Sequence, residues 1–159
     1  MKPPKPDTFR ATDDEARGLA RKLIADARSG AVGIVIDGGP FVTRIALAPT
    51  KDALVTLVSD LAPHTYALRA NPDASLLVGE PGKGDPLAHP RLTLQVRARF
   101  VEKTEAARAA YLELQPKAQL YIDFADFHLV HLETREGWLN GGFGRAYRLT
   151  PDDLKTPKT

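Results

Sequence analysis

From Arg91 to Glu102 the chain alternates without interruption, with Leu92, Leu94, Val96, Ala98 and Phe100 on one side and Thr93, Gln95, Arg97 and Arg99 on the other. Side chains of a strand point to opposite faces in turn, so this stretch reads as a long strand with one apolar face and one polar face. It follows a segment that cannot be regular structure: GEPGKGDPLAHP, from Gly79 to Pro90, holds three glycines and three prolines and reads as a long loop. Other strands are expected at Val32–Asp37, Phe41–Ala48, Ala53–Val58, Ala74–Val78 and Phe127–Thr134, with a further turn and strand from Gly137 to Phe143. The Gly38-Gly39-Pro40 turn makes the first two a hairpin. Helices are expected at Thr12–Ser29, capped by Thr12 and ended by Gly30, and at Thr104–Leu114, with a short turn of helix at Pro116–Tyr121. Six or seven short strands with helices inserted at the edges point to a small barrel, mainly β with helices (α+β).

The 159 residues fit one compact domain, expected over 11–154, with a flexible segment at 1–10 and a tail at 155–159. Cysteine is absent, which excludes disulfides, thiol nucleophiles and thiolate metal sites and suits a reducing cytoplasm. MKPPKPDTFR has no apolar run after its charges, so neither a secretory signal nor a membrane span is expected. A net charge of +2, from 22 basic and 20 acidic residues spread along the chain, is not that of a nucleic-acid binder.

The segment most suggestive of a ligand is VSDLAPHTYALRANP, Val58 to Pro72. A strand ends at Ser59 and Asp60, Pro63 occupies a position that proline favours in the first turn of a helix, and His64 and Thr65 fall in that turn. Free backbone N–H groups and the helix dipole there attract anions, and an imidazole and a hydroxyl add donors. An ordinary β-to-α connection, in which His64 and Thr65 merely cap the helix, fits the segment equally well.

TRIALA (43–48), SDLAPHTYALRANP (59–72), GEPGKGDPLAHPRLTLQVRAR (79–99) and LNGGFGRA (139–146), in this order, resemble the FMN-binding split barrels related to pyridoxamine 5′-phosphate oxidase, nearest to their haem-utilisation branch. The resemblance implies a six-stranded split barrel that forms a homodimer with FMN in a groove between the subunits. It implies that Arg44 reaches the flavin phosphate or ring with Thr43 beside it, that Ser59 contacts the cofactor, and that His64 and Thr65 hold the phosphate. It places Gln95 at the isoalloxazine edge and has Arg97 support the site. The oxidase's W-x-x-x-x-x-R-x-H run is missing, and Trp138 does not replace it, so pyridoxamine phosphate oxidation is not expected. The haem-utilisation branch often carries a further C-terminal domain for which this chain leaves no room, so haem cleavage is not expected either, whereas a dimer can still take a tetrapyrrole.

Elsewhere the sequence offers little chemistry. His64, His89, His128 and His131 make no known metal spacing, and His128 and His131 point to opposite faces of their strand, so no metal is expected. Ser59 lacks a nucleophile elbow, and GEPGKGDP lacks the order of a phosphate loop. No catalytic acid or base stands out. Two functions fit: a flavin-dependent oxidoreductase of unknown substrate, or a non-catalytic module that binds FMN or haem.

Overall fold

The computed structural model describes residues 1–4 and 8–155. The expected flexible start and C-terminal tail therefore fall in part on 5–7 and 156–159, outside the described residues; within the former, the Arg10 amide donates to the Ala146 carbonyl at 2.8 Å. One antiparallel sheet dominates. Its strands are β1 (Ser29–Ile36), β2 (Gly39–Ala46), β3 (Ala48–Pro49), β4 (Leu54–Ser59), β5 (Asp73–Val78), β6 (Arg91–Val101), β7 (Phe127–Asn140) and β8 (Ala146–Leu149). They run in the spatial order β2-β1-β5-β6-β7-β4-β3, with β8 on β7. Four helices, α1 (Asp14–Asp26), α2 (Pro63–Ala70), α3 (Glu105–Leu114) and α4 (Pro151–Leu154), lie around it.

The sheet curls back on itself. Its two outermost strands, β2 and β3, are consecutive in the chain, joined through Leu47, so the ends of the strand order meet. Leu47 is fully buried, its N–H donates to the Arg28 carbonyl at 2.9 Å, and its own carbonyl accepts from the Gln115 amide at 2.8 Å. Buried Thr56 on β4 donates to the Ala46 carbonyl at 2.7 Å, stitching β2 to β4 just where they begin to diverge. Beyond that stitch the barrel is split.

Inside the curl lies the main core, built from Val32, Ile34, Leu76, Leu92, Leu94 and Val96 of the strands with Ala16 and Ala20 of α1 and Ala67 and Leu68 of α2. A second cluster, Val55, Tyr111, Ala118, Ile122 and Leu129, packs α3 on the outside of β4 and β7. β4 is thus covered on both faces, which explains its nearly continuous apolar sequence LVTLVS.

Several boundaries differ from the sequence expectations, each for a local reason. Asp13 rather than Thr12 caps α1, its carboxylate accepting from the Ala16 amide, while the Thr12 hydroxyl donates to the Arg148 backbone carbonyl. The helix stops at Asp26, and Gly30 is not its end but part of β1, where a Cβ would come within 2.8 Å of the Leu77 carbonyl. The hairpin turn is Asp37-Gly38, with φ of 51° and 79°, so Gly39 and Pro40 already belong to β2. The strands expected at Phe127–Thr134 and Gly137–Phe143 are one strand, β7, which ends at Asn140 and carries a bulge where Gln95 pairs with Glu136 but Val96 pairs with Thr134. Arg135 is the extra residue.

Candidate functional site

The outer face of the sheet carries the polar half of the β6 alternation. Gln95 and Arg97 both project there, beside Ser75 and Asp73 of the neighbouring strand. Arg97 donates to Asp73 at 3.2 Å, an exposed pair across β5 and β6. These residues line a cleft of about 690 Å³ whose other wall is Gly33, Val35, Pro40 and Val42 of β1 and β2, with Arg135 at its β7 end. Its size falls in the range of small-molecule and cofactor sites. A smaller cleft of about 350 Å³, lined by Glu136, Arg148 and Thr150, lies on the other side of Arg135.

Thr43 and Arg44 are neighbours on β2 and so face opposite ways. Thr43 pairs with buried Val32 and turns inward, while Arg44 pairs with Ala31 and turns outward. Along the sheet Arg44 is three strands from β6, roughly 14 Å at the usual strand spacing. It borders a separate cleft of about 150 Å³ with Leu77, Gly79 and Glu80. The β3–β4 register pairs Ala48 with Val55 and Pro49 with Leu54, and no ladder joins β2 to β4 among the described residues.

On the far side of the split, the β4–α2 connection is largely occupied with itself. The Ser59 hydroxyl accepts from the Leu61 amide at 3.1 Å and donates to Asp126 at 3.4 Å. Its carbonyl accepts from the Thr65 hydroxyl at 2.6 Å and from the Ala62 amide at 3.0 Å. Thr65 is buried, so its hydroxyl caps a turn within the fold. His64 is half-buried, and burial holds its imidazole below the ordinary value of 6.5, favouring the neutral form. Carboxylates crowd the same corner: Asp60 pairs with His128 at 2.8 Å, and Asp126 sits beside Ser59. The structure therefore brings Gln95 and Arg97 together in one cleft and leaves Arg44 at a separate one, with Ser59, His64 and Thr65 at neither.

Arg135 is the functional candidate that sequence reasoning missed. Its signal was a break in parity, because Leu132 and Leu139 both face the core although they stand seven positions apart, an odd step that only a bulge allows. Trp138, read from sequence as packing, lies under the Arg148 guanidinium at 5.7 Å, with its indole N–H buried and unpaired.

No protein-family model matches the chain. It is 43% identical over 103 residues, 62% of its length, to the chloroplastic "Non-canonical heme oxygenase HOZ" of Arabidopsis thaliana, and spans only 31% of that protein. It is 28% identical over 124 residues to "Heme oxygenase HutZ" of Vibrio cholerae, covering 74% of this chain and 70% of HutZ. Among solved structures, a heme binding protein from Mycobacterium smegmatis superposes with a TM-score of 0.80 at 31% identity, over 92% of this chain and 61% of that one. The same curled sheet recurs, at lower identity, in V. cholerae HutZ, there described as a heme storage protein (TM-score 0.64, 21% identity, 80% of this chain and 94% of that one). It recurs also in a pyridoxamine 5′-phosphate oxidase-like protein from Listeria innocua (TM-score 0.63, 15% identity, 77% of this chain and 96% of that one).

Proposed function

Because the chain belongs to the split-barrel family related to pyridoxamine 5′-phosphate oxidase, on the side of its haem-utilisation proteins, we propose that it binds a tetrapyrrole, haem, as a homodimer. The observation that carries the reading is the cleft of about 690 Å³, apolar on its β1–β2 wall and polar on its β6 wall, which suits a flat ligand with an apolar body and acidic edges. Haem binding is what the Mycobacterium smegmatis relative is described by, and haem is also the ligand named for HutZ, whether described as oxygenase or as storage protein. A second copy is invoked because apolar side chains stay exposed on the outer face, Val35 and Val42 (49% and 69%) in the wall of that cleft and Leu77 (42%) on β5. In this reading a partner packed on that face supplies its outward-facing Arg44, with its Ser59 and His64, to the Gln95 and Arg97 of the first chain, while Thr43 faces the interior and Thr65 supports the turn. FMN is the second reading, favoured by Arg44, which turns outward at the cleft of about 150 Å³ and which the sequence resemblance has reach the flavin phosphate or ring.

Haem titration followed in the Soret region tests the proposal, with FMN and riboflavin titrated in parallel and sedimentation run on each complex. A saturable one-to-one haem spectrum on a dimer is the expected result. Protein that ignores haem but binds FMN overturns the tetrapyrrole reading in favour of the second, and a monomer that saturates with either ligand overturns the shared groove.

A further inference from the structure

Five arginines lie on strands β6, β7 and β8. Arg97 holds Asp73, Arg99 holds Glu133 at 2.6 Å, and Arg148 holds Glu136, while Arg91 donates to the Leu87 carbonyl at 3.2 Å. Arg135 alone has neither a carboxylate within 4 Å nor a hydrogen bond among the described residues. Its charge reaches Glu133, which already belongs to Arg99. It is also the residue that the bulge takes out of alternation, and it stands on the ridge between the clefts of about 690 and 350 Å³. A bulge that re-aims a side chain at the edge of a cleft is a common device of binding sites, and a guanidinium left without a carboxylate is a ready partner for one.

We propose that Arg135, turned into the outer-face cleft by the β7 bulge, is a specificity-determining residue that pairs with a terminal acid group, carboxylate or phosphate monoester, on a planar ligand. The inference rests on the tetrapyrrole reading only for the choice of its first probe. That probe is protoporphyrin IX, compared with its dimethyl ester, on the full chain. The free acid is expected to bind roughly ten-fold more tightly than the diester, and Arg135→Gln to narrow the preference to about two-fold or less. Arg108→Gln removes the same charge at a distant pair with Asp123 and is expected to keep the preference. Wild-type protein that binds acid and ester alike, or Arg135→Gln that retains the preference, overturns the proposal. Should the wild type bind neither porphyrin, the tetrapyrrole reading fails, and inorganic phosphate decides the inference through the guanidinium Nε–H signals in a ¹⁵N spectrum. A shift of the Arg135 signal ahead of that of Arg108 supports the acid-group site, and an unmoved Arg135 signal overturns it.

Discussion

The β4–α2 turn and the outer-face cleft contain similar polar residues and use them in opposite ways. In the turn, Ser59 and Thr65 spend their hydrogen-bonding capacity on one another, on Leu61 and on Asp126. In the cleft, Gln95 and Arg135 face open volume, and Arg97 is tied only to an exposed carboxylate. A polar side chain already satisfied by its own backbone holds the fold, and one that faces a cavity is available to a ligand. The pairing of Thr65 with an anion and of Ser59 with a cofactor, expected from the sequence, therefore competes with work that the fold already gives them.

The contrast can be broken by variants that move stability and ligand affinity separately. Leu68→Ala, which empties a buried position of α2, is expected to cost about 2–5 kcal/mol in urea unfolding and to leave the haem affinity of the folded protein unchanged. A large affinity loss at unchanged stability would move the binding site to the turn. Arg97→Gln is expected to do the reverse, weakening haem roughly ten-fold, about 1.4 kcal/mol, with stability held to within about 1 kcal/mol because its ion pair is exposed. Thr65→Val removes one internal hydrogen bond and is expected to lower stability by about 1 kcal/mol, with haem spectra and affinity unmoved.

The smallest effect concerns pH. Burial lowers the His64 pKa in the folded chain, so the unfolded chain binds more protons once the pH falls below about 6.5, and stability declines from there toward the lower folded value. His64→Gln is expected to flatten that decline in urea midpoints measured between pH 7.5 and 5.5, values roughly bracketing the histidine range. An anion seated at His64 would oppose the same shift. Adding phosphate or FMN should therefore raise the His64 pKa read from its imidazole NMR signals if the turn does hold a phosphate, and leave it unmoved if the turn serves the fold alone.

What the sequence made legible was whatever is written in local periodicity. The alternation of β6, Pro63 opening α2 and a helix beginning at Thr104 stand where the residues place them, while the glycine-rich segment before β6, expected to hold no regular structure, contains one short 3-10 turn at Pro86–Ala88. β7 was read as two strands because a bulge inserts one residue into the alternation while the hydrogen-bonded ladder continues, and Arg135 was lost in that gap. Gly30 read as a helix stop because its actual constraint, the Leu77 carbonyl, lies on a strand far along the chain. Arg44 and Thr43 could be listed side by side from sequence, but only the pairing with β1 shows that they face opposite ways. Face, register and the split are long-range properties and leave little trace in neighbouring residues.

The passage from β2 to β3 through Leu47 has one more consequence. In most closed sheets the first and last strands must find each other across a long stretch of chain, and that search carries a loop-closure cost. Here the two ends of the strand order are successive in sequence, so the girth of the barrel is fixed by a covalent step one residue long rather than by packing. Leu47 works as the buckle of a belt, with Gln115 and Arg28 as its keepers. Lengthening the strap by one residue would let the belt out while its leather, the β1–β5–β6–β7 ladder, stayed intact.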